Sequence, residues 1–213
     1  MNTRETRFIR GKVEFREVTA EQKAAGFIGI IEGFVPYESD SRELRMNTGK
    51  RFVERLSRGT FTKSLADAGQ DVFADVGHND AATFARRGVN LDVAETDTGL
   101  GYRALIPDTT TGRDLQTNVR LGIIDGTSFE FELRGDGESE AWAKRGDVNV
   151  RTIKDAILHR VNPVTVPAYP ETTLNARSVD ALAALEKPAE TTAEKPAPKF
   201  TLTSERAARF GLR

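Results

Sequence analysis

The chain has 213 residues, 38% of them hydrophobic and 30% charged, a balance typical of a soluble globular protein with one substantial domain. Its 31 basic and 32 acidic residues nearly cancel, so the charge indicates no nucleic-acid or membrane-surface partner. The lack of cysteine excludes disulfides, thiolate nucleophiles and cysteine-ligated metals, and two histidines exclude a histidine-rich metal site.

The sequence also predicts where the protein works. The N-terminal segment carries charges where a signal peptide needs an apolar run. No apolar stretch approaches the ~20 residues that span a bilayer. We therefore expect a cytosolic protein without a membrane partner, whose catalysis uses an oxygen nucleophile and no cofactor.

Strand signals dominate the first 177 residues. Short segments rich in Val, Ile and Phe and bounded by Gly, Asp or Pro predict strands. They are Phe8–Phe15, Gly26–Val35, Asp71–Val76, Val89–Val93, Leu100–Ile106, Ser128–Leu133 and Val148–Val166, the last long enough to bend or break. Glycines at positions 29 and 33, inside an apolar run, predict a bulge or a barrel corner.

Only two helices are predicted in this part of the chain. They are Thr60–Ala68 and Thr111–Ile123, and the second has an apolar stripe at helical spacing. Many strands with few helices favour a β-rich fold, either all-β or α+β. We expect a closed or partly open β-barrel with a few peripheral helices.

The composition changes sharply near Arg177. The segment Glu186–Lys199 is a run of Pro, Ala, Glu, Lys and Thr that cannot bury enough apolar surface to fold, which is typical of an extended linker. Short helices are predicted on either side of it, at Val179–Leu185 and Glu205–Phe210. The sequence thus predicts a domain over residues 1–177 and a flexible tail over residues 178–213.

A candidate nucleophile stands in Gly126–Phe131 (GTSFEF), where Ser128 follows a glycine turn at the head of an alternating strand. A serine hydroxyl is a weak nucleophile unless a neighbouring base takes its proton, and histidine suits that role. His78 ends a predicted strand and precedes the polar Asn79 and Asp80, so we expect it at an exposed or cleft-lining strand end. Each residue also has an ordinary structural interpretation, because serine is common at strand starts and a lone histidine is often a surface residue. The spacing alone does not bring the two together.

The second histidine, His159, lies inside a predicted strand. If that strand is regular, His159 shares a face with Ile157 and Val161 and points toward the apolar side. A buried histidine needs a hydrogen-bond partner. It is either bonded to backbone or it orients His78.

Several segments between about residues 25 and 175 follow one another in the order of a known family's motifs. They are Gly29–Phe34, Phe52–Leu56, Gly59–Phe61, Ser64–Leu65, Asp71–Asn79, Phe84–Arg86, Asp97–Leu100, Ile106–Thr109, Gly112–Leu115, Gly126–Phe131 and Val161–Pro170. Gly126–Phe131 is similar to a G-x-S-x-x-F nucleophile motif, and Val161–Pro170 (VNPVTVPAYP) to a V-S-P-V-T-x-P-A-Y-P segment. The ordered set resembles the prohead (capsid-maturation) serine protease family of tailed bacteriophages and related gene-transfer particles.

The resemblance implies a β-barrel serine protease, distantly related in fold to the herpesvirus assembly proteases. Such enzymes work inside the immature capsid in the host cytoplasm, where they cleave scaffold or major capsid protein and often themselves. The nucleophile and the base carry over to Ser128 and His78. A homo-oligomer is compatible with the family, and no metal or cofactor is implied.

The third catalytic residue is where the chain departs from the family. The acidic residue that usually precedes V-S-P-V falls at Arg160, which cannot accept the N–H of His78, and Asn162 replaces the usual serine. We expect His159 to take this role, as in the Ser-His-His arrangement of the herpesvirus enzymes. Asp155 or another carboxylate is the alternative, and a weakened or inactive enzyme is the third.

Two rival functions follow from the sequence. The first is a non-catalytic scaffold or assembly module of the capsid that kept the protease fold. The second is a serine esterase. The chain lacks both the G-x-S-x-G elbow and the βα alternation of such enzymes, which counts against this function. The tail after Arg177 is a candidate for self-cleavage or for targeting to the particle, and its alternative is an unconstrained C-terminus.

Overall fold

The computed structural model describes residues 4–9, 13–46, 49–135 and 137–165. In these ranges thirteen strands, numbered β1 to β13 in chain order, form three sheets, and three α-helices accompany them. This confirms the β-rich class. No sheet closes on itself within the described ranges, so the barrel stays a prediction. The predicted tail, with its linker and two short helices, lies outside the described residues.

The five-stranded sheet brings together strands from both ends of the described chain. In sheet order its strands are β1 (Glu5–Ile9), β10 (Gly126–Leu133), β13 (Ala156–Val164), β6 (Phe73–Asp75) and β7 (Thr83–Arg86). Neighbours are antiparallel except β13 and β6, which are parallel. The strand carrying Ser128 is therefore flanked by β1 on one side and β13 on the other.

Two four-stranded sheets complete the fold. One has the order β2 (Glu14–Arg16), β3 (Phe27–Pro36), β9 (Gly99–Pro107) and β8 (Leu91–Thr96), and the other β11 (Glu140–Arg145), β12 (Val148–Ile153), β5 (Arg51–Leu56) and β4 (Leu44–Arg45). The helices are α1 (Ala20–Ala24), α2 (Thr62–Ala66), α3 (Thr110–Arg120) and a 3-10 turn at Asp80–Ala82. No helix in the described ranges has the length and apolar character needed to cross a membrane.

The main core lies against one face of β10. Phe129 and Phe131 are fully buried, and their stacked rings lie 5.5 Å apart between centroids. Phe61 meets both rings edge-on, at 6.0 and 6.5 Å. Because side chains alternate along a strand, this aromatic packing directs Ser128 and Glu130 to the opposite face. The core thereby fixes where the serine points.

Two predictions about strand breaks are confirmed. The long segment predicted from Val148 divides into β12 and β13, because the N–H groups of Lys154 and Asp155 turn aside to the carbonyl of Ser139. The bulge expected near Gly29 appears as a register shift between Phe27 and Gly29 in the β3–β9 pair.

The prediction of one strand over Phe8–Phe15 is wrong. β1 ends at Ile9 and pairs with β10, whereas β2 begins at Glu14 and pairs with β3 in another sheet. Local alternation cannot distinguish one long strand from two short ones with different partners. Alternation also misses β5, where the buried Glu54 interrupts an otherwise apolar face.

Candidate active site

The two residues singled out as nucleophile and base meet in the structure. Ser128 is the third residue of β10 and is fully buried. Its Oγ atom lies 2.7 Å from Nε2 of His78, fifty positions earlier in the chain. This is a hydrogen-bond distance between a hydroxyl and an imidazole, the geometry that a serine needs for activation.

A left-handed turn after β6 presents the imidazole to β10. Gly77 and His78 both have positive φ, at 68° and 62°. This conformation is easy for glycine and uncommon for histidine. The turn is closed by the N–H of Asn79, which donates to Oδ1 of Asp75 at 2.9 Å. A non-glycine residue held in such a conformation is a frequent mark of a functional site.

Asn162 occupies the other side of the imidazole. Its Nδ2 atom lies 3.1 Å from Nδ1 of His78, and its Oδ1 accepts the backbone N–H of Asp75 at 2.9 Å. Asn162 is fully buried and stands opposite Ser128 in the β10–β13 register. The three side chains therefore form a line, Ser128 to His78 to Asn162, across two strands and one turn.

An ion-pair network stands behind this line. Asp75 is fully buried, and its Oδ2 accepts from Nη1 of Arg160 at 2.5 Å. Nη2 of Arg160 reaches Oδ1 of Asp80 at 2.6 Å, and its Nε lies 3.9 Å from Oε1 of Glu130. The arginine that replaces the expected acid thus neutralises a carboxylate three residues before His78.

The net effect of these surroundings is to lower the pKa of His78. Burial is the largest cause, because it penalises the charged imidazolium, and Arg160 acts in the same direction. The carboxylates of Asp75 and Glu130 oppose it and raise the pKa in part. His78 is therefore held neutral to a lower pH than an ordinary histidine.

The structure does not bring His159 to His78. Glu130 pairs with Arg160 but Phe131 pairs with Leu158, so His159 is the extra residue of a bulge in β13. Its Nε2 atom lies 3.5 Å from Oε2 of Glu132. The expectation that His159 shares a face with Val161 is wrong, because the bulge reverses the alternation between them.

The alternative carboxylate, Asp155, is engaged elsewhere. Its Oδ2 accepts from Nζ of Lys63 at 2.6 Å and its Oδ1 from Nε of Arg134 at 3.0 Å. Sequence reasoning missed Asn162 as the side chain that contacts Nδ1 of His78. The available signal was its polar side chain two residues after Arg160, at a position where the resemblance expects serine.

Strand β1 lies beside the serine, as the neighbour of β10 in the same sheet. The hydroxyl of Ser128 donates to the backbone carbonyl of Arg7 at 2.7 Å, and Phe8 is the register partner of Ser128. In this conformation a carbonyl of the protein's own chain occupies the side of Oγ that faces β1.

Within the described ranges, no group of three or more His, Asp or Glu side chains is arranged to hold a metal ion.

Two of three comparisons with known proteins find a match. A sequence profile described as caudovirus prohead serine protease matches residues 13–185. Among solved structures, the bacteriophage T4 capsid assembly protease gp21 is similar with a TM-score of 0.52 and 13% sequence identity, covering 78% of this chain and 99% of that one. At that identity the likeness shows the fold alone. A comparison with curated protein sequences finds no significant match.

Proposed function

The chain belongs to the caudovirus prohead serine proteases, and on this basis we propose that it is a serine endopeptidase with Ser128 as nucleophile and His78 as base. Its proposed substrates are the scaffold or the major capsid protein, and its own chain is a further candidate. It acts inside the assembling prohead in the host cytoplasm. The observation that carries the proposal is the 2.7 Å distance between Ser128 Oγ and His78 Nε2.

The proposed reaction is acyl transfer. Oγ of Ser128 forms a bond to the scissile carbonyl carbon while its proton passes to Nε2 of His78. The tetrahedral intermediate collapses, the C–N bond breaks, and His78 returns the proton to the leaving amine. Water, activated by the same imidazole, then hydrolyses the acyl-enzyme. The proposal invokes no metal or cofactor.

Catalysis also requires that β1 move. Ser128 is fully buried, and its hydroxyl donates to the carbonyl of Arg7 on the neighbouring strand β1. A substrate carbonyl carbon needs a path to this buried Oγ, so we include release of β1 in the proposed catalytic cycle. The predicted tail over residues 178–213 is a candidate for self-cleavage or for targeting to the particle.

One observation favours a second function, a non-catalytic assembly module of the capsid. An arginine replaces the expected acid, and the amide of Asn162 presents its Nδ2 to His78. Losing the orienting residue of a triad costs ~10⁴ in kcat. A chain weakened this far serves the particle through binding alone.

Co-expression with the major capsid protein of the same particle separates the two functions, with both proteins read by intact mass. We predict that the unsubstituted chain shortens the capsid protein and that Ser128→Ala leaves it at full length. Ser64→Ala is the matched control, because Ser64 is also buried and hydrogen-bonded, to the N–H of Leu158. Identical products from Ser128→Ala and the unsubstituted chain contradict the protease and leave the assembly module.

A further inference from the structure

The hydrogen bonds through Asn162 and His78 run in one direction. The backbone N–H of Asp75 can only donate, so it must face the oxygen of the Asn162 amide, at 2.9 Å. This fixes the amide orientation by chemistry and leaves its NH₂ group toward Nδ1 of His78, at 3.1 Å. Nδ1 is then an acceptor and carries a lone pair.

The proton of the neutral imidazole must therefore be on Nε2. The hydrogen bond made by one ring nitrogen decides which nitrogen is protonated. The Nε2–H group points at Ser128 Oγ, 2.7 Å away, so the serine oxygen accepts there. The serine hydroxyl is left to donate to the carbonyl of Arg7, also at 2.7 Å.

The opposite direction fails at both ends of this chain of hydrogen bonds. The carbonyl of Arg7 cannot donate to Ser128, and the N–H of Asp75 cannot accept from Asn162. A general base, by contrast, needs a lone pair on Nε2 to take the serine proton. The arrangement satisfies every donor and acceptor in the line. It opposes the first catalytic step, because a protonated Nε2 cannot take the proton of Ser128.

We propose that Asn162 is the positioning residue of His78, and that it holds the imidazole in a resting form protonated at Nε2. The inference rests on the proposed function, since a resting form is defined by the base role of His78. Under this proposal, the place of the family's third catalytic residue is taken by the side-chain amide of Asn162, and the backbone N–H of Asp75 sets the orientation of that amide. Neither His159 nor Asp155 takes part.

The resting form ends when the line of hydrogen bonds reverses. The Asn162 amide must turn its oxygen to Nδ1–H, which releases the N–H of Asp75, and β1 must withdraw the carbonyl of Arg7. The lowered pKa of His78 agrees with the resting form, because an imidazolium would set Nδ1–H against the NH₂ group of Asn162. The charged groups that act on His78 there are Asp75, Glu130 and Arg160.

Nitrogen NMR tests the tautomer directly, without any substrate. The full chain with His159→Gln retains a single histidine, so ¹⁵N-histidine labelling reports His78 alone. We expect a protonated signal at Nε2 and an unprotonated signal at Nδ1.

In the same background, Asn162→Asp supplies an acceptor to Nδ1–H, so we expect the tautomer to reverse and the pKa of His78 to rise. Cleavage of the capsid protein should then increase roughly 5- to 150-fold. This factor corresponds to the cost of one buried hydrogen bond, because the Asp75 N–H bond to residue 162 no longer has to break before catalysis.

The matched control is Asn79→Asp. It adds the same charge one residue from His78 and preserves the cap that Asn79 makes to Ala81 N–H, but it does not touch Nδ1. We expect it to leave the tautomer unchanged. The variant Asn162→Ala removes the donor, and we expect it to mix the two tautomers.

Two results overturn the inference. One is a protonated Nδ1 in the parent chain, and the other is an Nε2–H tautomer that persists in Asn162→Asp. The parent spectrum decides even if Asn162→Asp does not fold. A protonated Nδ1 together with cleavage lost in Ser128→Ala overturns this inference and supports the protease. The expected tautomers without cleavage in any variant support the positioning role and count against the protease.

Discussion

At the scale of single residues, His78 is defined by what surrounds its two ring nitrogens. Ser128 lies at Nε2 and Asn162 at Nδ1, while a backbone turn with positive φ holds the ring between them. Arg160 and Asp75 form an ion pair behind the ring, so neither charge acts on it alone. The basicity of the imidazole is therefore set by burial more than by a single carboxylate.

The pH dependence of cleavage follows from this balance. Because the pKa of His78 is lowered, its neutral form persists below the ordinary histidine value of about 6.5. We expect the acid limb of kcat/KM to fall below that pH, measured by the rate of capsid-protein cleavage across a pH series. Arg160→Met removes a cation that lowers this pKa and leaves Asp75 unpaired, so the limb should move to higher pH.

The control for this shift is Arg86→Met, which breaks an exposed ion pair with Asp71 and leaves His78 untouched. The two variants should give different acid limbs. An acid limb that stays in place in Arg160→Met contradicts the account of the His78 environment.

How far the sequence predicts single residues depends on the kind of signal. Ser128 and His78 stand out in the sequence because Ser128 follows a glycine turn, His78 ends a predicted strand, and each matches a family motif. Asn162 cannot, because its role depends on which of its atoms faces the ring. His159 misleads because a bulge between Glu130 and Phe131 shifts the register by one residue, and a one-residue shift changes the face.

At the scale of elements, β1 is the strand that we propose to control access to Ser128. Beyond its pairing with β10, it is anchored by two buried arginines, since Nη1 of Arg151 lies 2.5 Å from Oε2 of Glu5 and Nε of Arg7 lies 2.6 Å from Oε1 of Glu54. Arg151 is fully buried and also meets Glu140. Removing one partner from a buried ion pair is strongly destabilising, because the other charge is left uncompensated.

This anchoring gives a prediction for strand release. Glu5→Ala leaves Arg7 and Arg151 without one of their carboxylates, so β1 should separate from β10 more often. We expect the rate at which a fluorophosphonate labels Ser128 to rise about tenfold or more, since 1.4 kcal/mol corresponds to tenfold in an equilibrium. Mass mapping of the peptide that contains Ser128 gives the rate.

Glu14→Ala provides the control for this experiment, because Glu14 lies on β2 and is partly exposed. It should label at the rate of the unsubstituted chain. Equal labelling rates in Glu5→Ala and Glu14→Ala contradict the role of β1 as the cover of Ser128.

At the scale of the whole molecule, three sheets enclose one main core, and Ser128 lies on the face of the five-stranded sheet opposite that core. The sequence predicts the β-rich class, because alternation and turn residues are local signals. It does not predict the pairing of β1 with β10, which joins positions between 118 and 126 residues apart. Nor does it predict that the run from Phe8 to Phe15 is divided between two sheets.

The central claim is that Ser128 and His78 act as one catalytic unit, and a mutant cycle on capsid-protein cleavage tests it most directly. Rates are measured for the unsubstituted chain, Ser128→Ala, His78→Ala and the double variant. Residues that act as a unit are strongly non-additive. We predict that each single substitution lowers the rate by ~10⁴ or more and that the double variant is no slower than the singles. Additive losses, or a Ser128→Ala chain that cleaves at the unsubstituted rate, would contradict the account.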